Sequence, residues 1–246
     1  MSEKVLILGA LSGIAEACAR RWAAAGATLT LAARSQAPLE RLAEDLKVRG
    51  AAAVHIVAAD LADPASGLDI PGLIAPMGGV DVVLVAYGTL TDEARAAGDL
   101  AYAAAQLQIN FVSQARWCLS AAEVLRAQGH GVLLAIGSVA GDRGRGSNAV
   151  YGSAKAGLGT LVQGLAHRLA GSGARAVLIK PGLTDTPMTA HITKKGPLFA
   201  TPDAVAQVII RSAKSGGPVV YAPGFWRFIL LIIRLLPTPL MHKTQL

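Results

Sequence analysis

Ser138, Tyr151 and Lys155 place a hydroxyl, a phenol and an ammonium in one stretch, "GSVAGDRGRGSNAVYGSAKAGL", from Gly137 to Leu158. The segment "AVYGSAKAGLGTLVQGLAHRLA" has the composition of a helix, so Tyr151 and Lys155 stand one turn apart on one face. An ammonium beside a phenol favours the phenolate and lowers its pKa from about 10, which lets the pair exchange a proton near neutral pH. "VLLAIGS" sets Ser138 at the end of a strand, where its hydroxyl can hold the carbonyl oxygen that gains or loses that proton. This is the proton half of a hydride-transfer reaction. A lysine four places after one of four tyrosines arises by chance about one time in five, so the pair needs the rest of the chain beside it.

Short, partly β-branched apolar runs at Val5–Leu8, Leu29–Ala32, Val54–Val57, Val80–Val85, Val132–Ile136, Ala176–Ile179 and Pro218–Tyr221 predict seven strands. Ala/Leu-rich stretches at Ile14–Ala25, Pro38–Arg49, Asp99–Ala127, Val150–Ala170 and Pro202–Lys214 predict helices between them. Thr201, Pro202 and Asp203 form a helix start. Buried strands alternating with helices imply an α/β class: a single doubly wound Rossmann-type domain with a seven-stranded parallel sheet, over residues 1–222. Right-handed crossovers then gather the strand C-termini along one edge, where ligands bind. Residues 223–246 form an apolar, basic tail.

At that edge, "VLILGALSGIAEA" is a strand, a glycine turn and a helix start. Gly9 permits the turn, and Gly13 lets the backbone approach a pyrophosphate at the helix N-terminus. The second strand ends "LAARS", with Arg34 where a fold selecting NAD supplies a carboxylate, and no Asp or Glu before Glu40. A guanidinium suits a 2′-phosphate, so NADP (as NADPH) is favoured over NAD; the plainer reading of Arg34 is a solvated arginine. Asp60 can accept from an adenine amine or cap its own turn.

Composition bounds the rest. Of 246 residues, 52% are hydrophobic and 16% charged, which supplies a core and excludes a disordered chain. Cys18 and Cys118 lie far apart without CxxC or His-rich spacing, so they read as buried cytosolic thiols, and no metal site is expected. The N-terminal apolar run is too short for a signal sequence or a spanning helix, which points to the cytoplasm. The net charge of +7 is concentrated late in the chain, and aromatics are scarce. Nucleic acid is therefore not an expected partner.

On these residues the chain resembles the short-chain dehydrogenase/reductase family from "GALSGIA" to about Tyr221. The resemblance implies an NAD(P)-dependent oxidoreductase in which Ser138 orients the carbonyl and Tyr151 is the acid/base. Lys155 also binds the nicotinamide ribose, and Asn110 in "LQINFVSQA" anchors a proton-relay water in a kinked helix. It assigns cofactor contacts to Gly9, Ser12, Gly13, Ile14, Arg34, Asp60, Leu61, Ala86, Gly88, Tyr151 and Lys155, and to Pro181, Gly182, Thr184 and Thr186 of "PGLTDTPM". It also implies a homo-oligomer paired through the helices around Asn110 and Lys155. Two departures stand out: Leu8 and Ala15 replace the Thr and Gly that usually bound the glycine motif, and "VAYG" (Val85 to Gly88) replaces Asn-Asn-Ala-Gly.

Within the family, the Gly137–Leu158 stretch, "PGLTDTPMTAHI" and the tail resemble bacterial decaprenylphosphoryl-2-keto-ribose reductases. Those enzymes reduce a keto sugar on a polyprenyl phosphate, working with a flavin oxidase that makes the ketone. The resemblance implies a lipid-linked keto-sugar substrate and that oxidase as partner, in glycolipid or cell-wall synthesis. Arg143 and Arg145 would meet the phosphate, with Lys194 and Lys195 as a second pair. The tail "PGFWRFILLIIRLLPTPL" has about a dozen apolar residues between Phe225 and Leu236, where a span needs about 20. It reads as an interfacial helix giving peripheral membrane contact on the inner face, or else as a helix buried in a dimer or against the pocket. Two rival functions are a soluble enzyme for a small ketone or secondary alcohol, and a non-enzymatic NADP-binding sensor.

Overall fold

Val5 and Ile7 turn to one face of the first strand, Leu6 and Leu8 to the other, and each face becomes a core. A computed structural model describes residues 2–193 and 196–244. In chain order its principal elements begin with β1 (Lys4–Leu8), α1 (Gly13–Ala24), β2 (Thr28–Ala33), α2 (Gln36–Val48), β3 (Ala53–Ala58), α3 (Ile70–Ile74) and β4 (Val82–Val85). Next come α4 (Glu93–Gly98), α5 (Leu100–Leu107), a π-helical segment (Gln108–Val112), α6 (Ser113–Gln128), β5 (Gly131–Ile136) and α7 (Ala149–Arg168). The chain continues through β6 (Ala174–Pro181), α8 (Pro202–Lys214), β7 (Val219–Ala222), α9 (Trp226–Leu235) and α10 (Thr238–Met241).

The seven strands form one parallel sheet, as expected, and their order is β3-β2-β1-β4-β5-β6-β7. The order reverses between β1 and β4, which opens a crevice at their C-terminal ends. Helices α1, α2 and α8 cover one face through Trp22, Leu39 and Ile209. Helices α3, α6 and α7 cover the other through Ile70, Trp117, Leu158 and Val162. Cys18 and Cys118 are free and buried, and burial pushes the Cys118 thiol up to about 12. Thr201 accepts from Ala204 N at 3.1 Å and starts α8 where Pro202 and Asp203 predict it.

The stretch Asp99–Ala127 is not one regular helix. Its middle widens into the π segment, which puts Asn110 at full burial and leaves the Ile109 carbonyl accepting side-chain donors from Ser113 and Gln114. Helical composition continues smoothly through this region, so periodicity carries no mark of the widening.

Candidate active site

The crevice between β1 and β4 holds a cavity of about 330 Å³ lined by Gly9, Ser12, Arg34, Leu61 and Gly88, among others. Gly9 has φ +89°, and a Cβ there would lie 2.6 Å from Tyr87 Cβ. Only glycine fits both the turn and that contact. Ser12 caps α1 by accepting from Ala15 N, and Ile14 stands in the first turn of that helix. Arg34 is exposed at the end of β2. Asp60 accepts from Ala62 N at 2.9 Å, so one of its oxygens serves its own turn. Ala86, next after β4, donates its N–H to Leu8 O at 2.8 Å. A glycine-lined cavity at a capped helix N-terminus, with a guanidinium at one wall, fits an adenine dinucleotide.

Pro181 ends β6, and Gly182 and Thr184 follow; the Thr184 hydroxyl is buried and donates to Gly182 O at 3.1 Å. The methyl of Thr186 packs against Gly13 and brings this segment over the start of α1. Of the cofactor positions expected from sequence, Gly9, Ser12, Arg34, Leu61 and Gly88 line the cavity itself, and Thr186 reaches the start of α1 beside it. Lys194 and Lys195 lie outside the described residues.

Ser138 lies two residues past the end of β5 and caps a single turn, Val139–Asp142, by accepting from Ala140 N at 3.1 Å. Tyr151 and Lys155 share a face of α7, with the ammonium 6.0 Å from the phenol ring centre. Lys155 is buried and donates to Ile136 O at 3.0 Å and to Gln114 Oε1 at 3.3 Å. Burial draws its pKa down to about 8. Loss of water raises the Tyr151 pKa, while a hydrogen bond with Ser138 pulls it the other way. The expectation that Lys155 lowers the phenol is thus corrected: desolvation dominates, and the Tyr151 pKa is raised.

Residues 3–196 match the short chain dehydrogenase family. The chain is a short-chain dehydrogenase/reductase. It is 40% identical over 234 residues to an uncharacterized oxidoreductase of Mycobacterium tuberculosis (strain H37Rv), covering 95% of this chain and 93% of that protein. An uncharacterized oxidoreductase of Streptomyces coelicolor is 37% identical over 240 residues, covering 97% and 94%. Among solved structures, levodione reductase superposes with a TM-score of 0.79 at 24% identity, covering 92% of this chain and 97% of its own. An actinorhodin polyketide ketoreductase with NADPH has a TM-score of 0.79 at 21% identity and the same coverage. Members of this family bind a nicotinamide dinucleotide, and the cavity at the β1–β4 edge is where it fits.

This short-chain dehydrogenase/reductase supports its candidate catalytic groups with residues that motif reading passes over. Glu93 reaches from α4 to the first turn of α7, accepting from Val150 N at 2.9 Å and Tyr151 N at 3.0 Å. The local cap position, Asn148, makes no side-chain bond there. Gln114 links the Lys155 ammonium to the carbonyls of Tyr87 and Ile109. Its place four residues after Asn110 is the one sequence signal it offered. Asn110 accepts from Thr89 N at 2.9 Å. A Cβ on Gly88 would lie 2.8 Å from Asn110 Oδ1, so the loop after β4 requires glycine there. In the divergent "VAYG", the Tyr87 hydroxyl donates to Ser113 Oγ at 2.8 Å and ties that loop to α6.

The loop after Ser138 is also anchored. Asp142 is almost wholly buried, pairs with Lys180 and accepts from the Tyr221 hydroxyl at 2.6 Å. Arg143 donates to the carbonyls of Arg234 (2.8 Å) and Leu236 (3.3 Å) at the end of α9. That engagement ties it to the tail and separates it from Arg145, whose partly buried guanidinium has its pKa lowered by desolvation.

Proposed function

We propose that this enzyme uses NADPH to reduce a ketone to a secondary alcohol, and that the ketone is a keto sugar on a polyprenyl phosphate. The observation that carries the assignment is geometric: Ser138 past the end of β5 faces Tyr151 on α7, with the buried Lys155 ammonium 6.0 Å from the phenol ring centre. Gly9, Ser12, Gly13, Leu61, Gly88, Thr184 and Thr186 would hold the dinucleotide. When bound, it supplies a hydride to the carbonyl carbon. Ser138 holds the carbonyl oxygen, and Tyr151 gives that oxygen its proton as negative charge develops. Lys155, charged below about pH 8, favours the phenolate left behind. Gln114 and Ile136 O keep the ammonium in place, and the π segment with Asn110 borders the route by which the proton is replaced.

Arg34 at the cavity wall supports NADP over NAD, because a guanidinium complements the 2′-phosphate. The sugar reading rests on the Gly137–Leu158 resemblance, with Arg145 as the phosphate contact and a flavin oxidase supplying the ketone. Cytoplasmic residence and pairing through α6 and α7 complete this reading.

NADPH oxidation by the full chain should be followed with a short-chain polyprenylphosphoryl keto-pentose and with small neutral ketones. The lipid-linked sugar should show kcat/KM at least about 100-fold higher, and Tyr151→Phe should lower kcat about 10³-fold while the NADPH Kd stays within about twofold. Preference for small ketones would replace the sugar assignment. Tyr151→Phe with undiminished turnover would overturn the mechanism.

A further inference from the structure

Helix α9 carries apolar side chains on both its inner and its outer face, and the protein covers only the inner one. Trp226 and Leu230 turn inward and are buried. Phe225, Phe228, Leu231, Ile232 and Leu235 turn outward, with Phe228 67% and Leu235 72% exposed. A helix of this kind is at ease in water only when both faces are covered, and contiguous apolar surface on this scale marks a contact site.

Charge identifies the contact. No Asp or Glu follows Asp203, whereas Arg227 and Arg234, both exposed and two turns apart, lie along one flank of α9, and Lys243 follows α10. Packing α9 against α9 of a second copy would therefore set arginines near arginines, with no carboxylate on either helix to offset them. A lipid surface instead offers acyl chains to the phenylalanines and leucines and phosphates to the arginines. At ten residues, α9 is about 15 Å long. No helix among the described residues is long and apolar enough to cross a membrane.

We infer that α9 lies in the headgroup layer of an anionic bilayer, its outer face among the acyl chains and its arginines at the phosphates. The inner face joins this contact to the chemistry. The Trp226 indole sits directly against Gly182, the segment beside the cofactor cavity, and its buried N–H finds no hydrogen-bond partner among the described residues. Arg143 grips the other end of the helix from the loop that follows Ser138. A bilayer that holds α9 therefore lies next to the loops bordering Ser138 and Gly182, so a carbonyl compound anchored in lipid can reach them without leaving the membrane. The surface does not depend on which ketone is reduced, so its test and that of the sugar assignment fail separately.

Co-sedimentation of the full chain should be measured with vesicles of mixed phosphatidylglycerol and phosphatidylcholine and with phosphatidylcholine alone. The protein should pellet with the anionic vesicles and much less with the neutral ones. The exposed double variant Phe228→Asn/Leu235→Asn should lose at least about tenfold in partitioning, and Arg227→Gln about fivefold. NADPH affinity should be unchanged in both, which shows that they fold. Equal sedimentation of the double variant, or no sedimentation of the parent chain, would overturn the inference. A sedimentation-velocity dimer that the double variant dissociates, without vesicle binding, would assign the face to a second copy and overturn it equally.

Discussion

Helices α7 and α9 are both completed by a charged side chain from a distant part of the chain, but in opposite senses. Glu93 places a carboxylate at the positive N-terminal end of α7, and Arg143 places a guanidinium at the negative C-terminal end of α9. Beyond the caps they diverge. Helix α7 buries Leu158, Val162 and Leu165 against the sheet and takes the Lys155 ammonium with them. Helix α9 buries Trp226 and Leu230 and leaves its opposite side bare. The first is held on every side, as the proton transfer proposed for Tyr151 requires of its groups. The second is fixed to the molecule by one face and leaves the other, apolar face exposed.

Lys155 is the sharpest test of the interior half. Its folded-state pKa of about 8 lies below its ordinary 10.5, so it is charged only below about pH 8. Reduction should therefore slow as pH rises through about 8, when the charge that favours the departing proton of Tyr151 is lost. Lys155→Met should lower kcat about 100-fold or more and remove that limb from a steady-state pH profile. The stability consequence has the opposite sign. Between about 8 and 10.5 the unfolded chain binds this proton and the folded chain does not, so stability falls as pH drops through that window and then stays level. Lys155→Met should thus raise Tm at pH 7 in scanning calorimetry and raise it less at pH 10. A variant with a lower Tm at pH 7 would show that the bonds to Ile136 and Gln114 outweigh the desolvation.

Glu93 tests whether a cap can act on chemistry. Its two oxygens are bonded to the N–H groups of Val150 and of Tyr151 itself, so it positions the phenol through the backbone. Glu93→Ala should cost about 1–2 kcal/mol and lower kcat about tenfold, with KM for NADPH unaltered. Glu93→Gln keeps an acceptor and should recover a good part of both losses. A fall in Tm with kcat untouched would make Glu93 a stabilising cap only.

These residues also mark where sequence reading stops. Ser138, Tyr151 and Lys155 were legible because each sits at a place that local pattern defines: a strand end, or one turn of one helix. Glu93 was not, since it meets Tyr151 across 58 residues, from a short helix with no feature to distinguish it. Asp142 with Lys180 and Tyr221, and Trp226 against Gly182, are likewise meetings between elements distant in sequence, whose partners only tertiary packing selects. The seven strands and their parallel order follow from periodicity and crossover handedness, which are local and chiral rules. The π segment breaks a helix without altering its composition, so only resemblance pointed to a kink there.

Arg143 and Arg145 are the finest comparison, two arginines in one glycine loop that sequence alone treats as a pair. Arg143 holds the carbonyls at the end of α9, and Arg145 makes no such bond to the tail. A net hydrogen-bond contribution of about 1 kcal/mol shifts Tm by about 2–4 °C in a chain of this size. Arg143→Ala should show that small loss, keep kcat on a small ketone within about twofold, and speed limited tryptic cleavage after Arg227 and Arg234 as α9 lifts more often. Arg145→Ala should leave the cleavage pattern as it is and raise KM for a phosphorylated substrate alone. If the two variants behave alike in both assays, the loop acts as one basic patch, and the link from Ser138 to the tail does not run through Arg143.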